Sequence, residues 1–280
     1  VTTHKLPVSV LIMTHDEQEN IRYALESVLN KFDQIIVADD YSTDRTVAIC
    51  REYADVELYY NKFPSWADQR NWMLNNCAIR NDIVFFLDAD EYVDTEFVAE
   101  LRHILDSSLQ FDAIYVHIRY IFFGSYLKRA YGHPKIRRIF KRAGLVFVGE
   151  GAREYARKDG VACVMKCPCI HHDRKPIATW IEKHVSNAER EAIAYIKREC
   201  VDYSYISTLP WLLRTKIWIR RTIWNRLPLL VRPCLYFVYR YIVQLGILDG
   251  RAGFIYCFLH ALWYQSLIDI KILEKKWQQT

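Results

Sequence analysis

Asp88, Asp90 and Glu91 follow directly on an apolar run, Ile83 to Leu87. A short β-prone run stopped by acids is the pattern of a buried strand that ends in a charged cluster. Residues two apart in an extended chain point to the same side, so Asp88 and Asp90 are expected to present their carboxylates together. Two such groups repel unless a cation or a row of donors sits between them. Hard oxygen ligands suit Mg²⁺ or Mn²⁺, ions that often bridge a protein carboxylate to a substrate diphosphate. The pattern therefore points to a nucleoside-diphosphate site, set against the plainer alternative of a strand running into a solvated acidic turn.

Two more polar clusters stand at the ends of apolar runs. Val8 to Met13 leads into Thr14, His15, Asp16 and Glu17, and Ile35 to Ala38 leads into Asp39 and Asp40. Between them Ile21, Ala24, Leu25 and Val28 recur at helical spacing. Ser42 or Thr43 is a candidate cap for a helix carrying Val47, Ile49 and Cys50. A third strand is expected over 56–60, a helix over 66–77, a helix over 94–105 and strands over 113–123 and 132–140. This alternation predicts an α/β fold, a mostly parallel sheet with helices on both faces. Ligands of such sheets collect beyond the carboxyl ends of the strands, where all three clusters fall. Neither GxGxxG nor GxxxxGK[ST] occurs, which argues against a dinucleotide dehydrogenase and a P-loop ATPase.

The segments VSVLIMTHDEQENI, IIVADDYSTDRT, FPSWADQRNWML and DIVFFLDADE, in that order, resemble the successive motifs of inverting family 2 glycosyltransferases, which have the Rossmann-like GT-A fold. The resemblance covers roughly residues 6–190. It implies that Thr14, His15, Glu17, Asp39 and Asp40 contact the donor nucleoside, that Arg70 lies near the nucleotide, and that Asp88 and Asp90 hold diphosphate and Mg²⁺ or Mn²⁺. Met-Thr-His-Asp-Glu stands where the family has Pro-Thr-Tyr-Asn-Glu, and Tyr41 where it has glycine; neither departure removes a carboxylate. Related enzymes show Val-His-Glu where this chain has Ala152, Arg153 and Glu154, so Glu154 is the expected catalytic base, with Glu150 as its rival. His171 fits the place of a histidine that completes the metal site. Each residue also has a structural alternative: Glu17 as a helix cap, Asp40 as a brace of its turn, Arg70 as a partner of Asp68, and either glutamate as a partner of Arg137, Arg138 or Arg157.

The formal net charge of +5 is too small to argue for nucleic acid. Its distribution is more telling. From Tyr203 to Leu248 there are seven Lys or Arg and no acid, with Trp211, Trp218 and Trp224 interleaved. Basic residues mixed with Trp and Tyr are the composition of a membrane interface. Two apolar runs follow, and the expectation is of helices lying on a membrane; a helical subdomain packed on the core is the alternative. GILDGRAGF at 246–254 resembles the terminal segment of bacterial family members that modify lipid-linked glycans. Eight scattered cysteines behind an N-terminus with no apolar h-region suggest free thiols in a reducing cytoplasm. Cys163, Cys167, Cys169, His171 and His172 lack the Cys-x-x-Cys spacing of a zinc knuckle.

The expectation is a catalytic domain over residues 1–200 and a C-terminal helical, membrane-interface region over 201–280. The enzyme would be a metal-dependent, inverting glycosyltransferase (a hexosyltransferase) peripheral on the inner face of a bacterial inner membrane. Its donor would be a UDP-sugar and its acceptor a lipopolysaccharide core or other lipid-linked saccharide, as in the lipopolysaccharide-core β-glucosyltransferases. A nucleotidyltransferase or a non-catalytic membrane-bound scaffold are the rival readings.

Overall fold

The computed structural model describes residues 4–132, 134–150, 153–158, 160–197, 214, 215, 218, 219, 222 and 224–278. They fall into two units. The first comprises Val1–Ile121, His133–Val148 and Lys158–Lys175; the second comprises Phe122–Gly132, Gly149–Arg157 and Pro176–Thr280. The expected boundary at residue 200 lies outside the described residues, as do Trp211, Lys216, Arg220 and Arg221.

In the first unit the elements are β1 (Leu6–Thr14), α1 (Ile21–Val28), β2 (Phe32–Asp39), α2 (Thr46–Cys50), β3 (Val56–Tyr60), α3 (Trp66–Asn76), β4 (Ile83–Asp88), β5 (Glu91–Tyr92) and α4 (Thr95–Asp106). β6 (Ala113–Phe122), β8 (Lys135–Lys141) and β11 (Ala162–His171) complete its sheet. The order is β3-β2-β1-β4-β8-β6-β11-β5. β3, β2, β1 and β4 run parallel, as does β11 beside β6; β8 lies antiparallel to both β4 and β6. The sheet is thus parallel in its first half and mixed beyond it.

β1 is central, covered on both faces, and its Val8, Val10, Leu11 and Ile12 are all buried. That is why it reads as an unbroken apolar run instead of an alternating one. Each such side chain contributes about 1.5–3 kcal/mol of burial. Phe85 of β4 packs between Phe32 and Phe97, with ring centroids 6.0 and 5.5 Å away. Helix starts are fixed by side chains: Asp94 accepts from the Phe97 N–H at 2.9 Å, and Ser65 from the Asp68 N–H at 3.2 Å. Neither Ser42 nor Thr43 caps α2. That helix starts at Thr46, whose N–H donates to Asp44, while the Ser42 hydroxyl is drawn to Asp39.

The second unit contains β7 (Ser125–Tyr126), β10 (Arg153–Arg157) and α5 (Ile177–Lys197); β9 (Val146–Glu150) pairs with β10. Its C-terminal part holds α6 (Val231–Val238), a π-helical turn Tyr239–Val243, a 3₁₀ turn Gly246–Asp249, α7 (Gly250–Tyr256), a π-helical stretch Cys257–Trp263 and α8 (Tyr264–Gln278). α5 and α8 share a core of Ala188, Ala192, Ile268 and Ile272. Arg232 and Asp269 form a buried ion pair in which Asp269 also accepts from the Leu230 N–H at 2.7 Å. Among the described residues no single helix is long and apolar enough to cross a membrane. Val231–Val243 with Gly246–Gln278, bent by 70°, passes that test of length and composition as a pair. The seven described cysteines are free thiols.

Candidate active site

The parallel register brings the polar strand ends together. Thr14 lies beside Asp39 across β1 and β2, and Met13 lies beside Asp88 across β1 and β4. The Asp40 N–H donates to the Thr14 carbonyl at 2.9 Å, and His15 Nδ1 donates to the Asp40 carbonyl at 2.7 Å. The two aspartates of β2 then diverge. Asp39 is 0% exposed and receives the Ser42 N–H and hydroxyl at 2.8 and 2.5 Å. Asp40 is part-exposed and accepts from the Phe63 N–H at 2.9 Å. His15 is exposed at the rim, and the Thr14 hydroxyl is buried with no hydrogen-bond partner. A buried polar atom of this kind is costly unless a bound group satisfies it.

Asp88 and Asp90 have separate surroundings. Arg138 of β8 holds Asp88 with both guanidinium arms, Nη1 to Oδ1 at 3.0 Å and Nη2 to Oδ2 at 2.5 Å, and Arg70 of α3 reaches Oδ1 at 3.2 Å. Arg138 Nη2 also donates to Glu91 at 2.6 Å. Burial works against the ionised Asp88, but Arg138 and then Arg70 outweigh it and hold its pKa below the ordinary value. Glu91 is pushed up to about 7, chiefly by burial, because the one positive charge of Arg138 is shared with Asp88. Arg70, expected at the nucleotide, is buried at 4% exposure against Phe86 and Phe147, with its guanidinium 4.8 and 5.5 Å from their ring centroids. Both Asp88 oxygens therefore face guanidinium groups.

Asp90 faces His171, with Oδ1 and Nδ1 3.3 Å apart. Neighbouring ligands on an octahedral cation about 2.1 Å away are about 3 Å apart, so this carboxylate and imidazole fit one Mg²⁺ or Mn²⁺. Strand pairing sets the two side by side: His171 is in register with Glu91, and the His172 N–H donates to the Asp90 carbonyl at 2.9 Å. Tyr120 steadies the His171 ring by stacking at 4.5 Å. No group of three or more His, Cys, Asp or Glu placed to hold a metal occurs among the described residues. A two-ligand set suits an ion shared with a substrate diphosphate and water, not an all-protein cage.

Glu17 receives Lys175 Nζ at 2.6 Å and Asn20 Nδ2 at 2.8 Å. Asn20 also bonds Asp173 and the Arg174 N–H, so the segment after β11 is tied to the start of α1. Glu17 is thus a buried anchor of that segment. Glu154 lies half-buried on β10 in the second unit, whereas Asp90 belongs to the first; the side chains of Glu150 and Arg153 lie outside the described residues. The residue whose role was least visible in the sequence is Arg138. A lone basic pair in a strand carries no partner signal, although two unsatisfied acids at a neighbouring strand end require a cation of some kind.

A parallel sheet with these acids at its strand ends, extended by an antiparallel strand, is the GT-A arrangement. The chain shares its fold with the crystal structure of S. aureus TarS residues 1–349, at a TM-score of 0.51 and 15% identity, covering 98% of this chain and 92% of that one. It belongs to glycosyl transferase family 2, which matches residues 9–160, more than half of its length. An uncharacterized glycosyltransferase of Rickettsia felis is 33% identical over 103 residues, 37% of this chain and 35% of that protein. The glycosyltransferase SunS of Bacillus subtilis is 32% identical over 100 residues, 34% of this chain and 23% of SunS. The chain spans about a third or less of the length of these relatives.

Proposed function

We propose that the chain is an inverting hexosyltransferase that moves a sugar from a UDP-sugar to a lipopolysaccharide core or another lipid-linked saccharide, working at the inner face of a bacterial inner membrane. The observation that carries the donor site is the Asp90–His171 pair standing at the same sheet edge as Thr14, Asp39 and Asp40. S. aureus TarS, which has this fold, is crystallised with UDP-GlcNAc and with UDP, which supports a uridine nucleotide as the donor class. Asp90 and His171 would hold Mg²⁺ or Mn²⁺. When bound, the ion supplies positive charge to the leaving diphosphate, where negative charge grows in the transition state. Arg138 and Arg70 hold Asp88 ionised and fixed beside that edge. Glu154 takes the proton of the acceptor hydroxyl as its oxygen attacks the anomeric carbon; a single displacement inverts the configuration.

The test is a screen of nucleotide sugars for hydrolysis and for thermal stabilisation, with Mn²⁺ and with EDTA. A UDP-sugar is expected to be hydrolysed and to stabilise the protein, with both effects greater in Mn²⁺. Asp90→Asn should fold and lose transfer. Full activity in EDTA or in the Asn variant would sink the metal role. Glu154→Gln should bind nucleotide normally and transfer at least about a hundredfold more slowly. Normal transfer in Glu154→Gln with a dead Glu150→Gln assigns the base to Glu150.

A further inference from the structure

We infer that the corner between the two C-terminal helices, residues 235–248, is a wedge that inserts into the headgroup–acyl boundary of an anionic lipid surface. This rests on the membrane reading above and deepens it by naming the element that enters and how it enters.

Leu235, Val238, Ile242, Val243, Ile247 and Leu248 are all exposed, Val243 and Leu248 at 65% and 67%. Scattered apolar residues need no explanation, but a run of this density at one corner marks an interaction surface. Three further observations make lipid its occupant. The first is backbone satisfaction. At the corner the Gln244 N–H donates to the Tyr239 carbonyl at 2.8 Å, Leu245 to Ile242 at 3.1 Å, and Leu248 to Leu245 at 3.0 Å. The π and 3₁₀ turns close these donors internally, which is what a chain must do where no water can reach it.

The second is strain. Leu245 has a φ of 60°, the left-handed region where a side chain costs free energy and glycine or asparagine relieves it. It is exposed. In water an exposed leucine offsets none of that cost; in an apolar medium it does.

The third is charge. Every acid between residues 203 and 273 is turned to an internal bond: Asp249 accepts the Arg129 and Ala130 N–H groups, both at 2.7 Å, and Asp269 is buried on Arg232. Arg226 and Arg251 remain exposed on either side of the corner. Exposed cations flanking an aliphatic tip match anionic headgroups above an acyl layer. The pair is bent by 70°, and the bend makes the corner.

The experiment is co-sedimentation of the full 280-residue chain with phosphatidylglycerol–phosphatidylethanolamine vesicles and with phosphatidylcholine vesicles, at low and high salt. The wild type should bind the anionic vesicles, and high salt should weaken binding without abolishing it. Val243→Glu with Leu248→Glu should keep the melting temperature and lower vesicle partition at least about tenfold. Leu245→Gly is the second arm: it relieves the backbone, so it should raise the melting temperature in water while weakening vesicle binding severalfold. Unchanged binding in both variants overturns the wedge and leaves the membrane reading standing. A wild type that binds no vesicle overturns both. A lipid-free dimer seen by analytical ultracentrifugation, split by the Glu pair, assigns the corner to a second copy and overturns the proposal.

Discussion

Arg138 is the residue on which the acid cluster depends. With one charge it holds the buried Glu91 and the part-exposed Asp88, and removing it leaves Glu91 without its guanidinium and Asp88 with Arg70 alone. Breaking a buried pair from one side costs about 3–5 kcal/mol, so Arg138→Met should lower the urea midpoint by that equivalent. Glu91 also gives a pH signature of defined sign. Its folded pKa is raised from 4.5 to about 7, so the folded state holds a proton that the unfolded state releases. Stability should therefore fall as pH rises from about 4.5 to about 7 and level off above it. In metal-free buffer without nucleotide, urea titrations at pH 5 and pH 7.5 should show this slope in the wild type, and Glu91→Gln should flatten it.

At the scale of elements, the C-terminal corner depends on two glycines. A Cβ on Gly253 would collide with the Gly246 carbonyl oxygen and lie 2.7 Å from Asp249 Cβ. Gly253→Ala should cost about 1–3 kcal/mol by overpacking and make the segment after residue 228 a preferred site of limited proteolysis. None of this was legible beforehand, because the pattern at 229–268 gives apolar helices without saying where they break. The strands that carry the strand-end acids were legible: β1, β2 and β4 are apolar runs covered on both faces, stopped by acids. β8 was legible as a strand but not in its direction. Its pairing of Phe85 with Ile139 brings Arg138 to Asp88 across fifty residues of chain, a fact of long-range register that no local pattern encodes. Ser42 misled for a related reason: a good capping residue was taken by a stronger acceptor, the buried Asp39.

At the scale of the molecule, the second unit is assembled from three separated pieces of chain, 122–132, 149–157 and 176–280. A cut near residue 200 therefore separates 122–132 and 149–157 from the C-terminal helices of their own unit. Asp249 holds the Arg129 and Ala130 amides from far downstream, and Arg240 donates to the Ala130 carbonyl. Losing two charge-assisted bonds by Asp249→Ala should free this loop, and trypsin should cut after the exposed Lys128 and Arg129 at least about tenfold faster. Unchanged cleavage would mean that Asp249 is not what holds the loop. The same clamp sets an order in time. Ala130 and Asp249 are 119 residues apart. At the usual pace of synthesis the ribosome needs on the order of ten seconds to cover that distance. Throughout that interval the loop after β6 has been made but its acceptor has not, so it waits unfastened on the nascent chain, a window in which a chaperone or a protease can reach it.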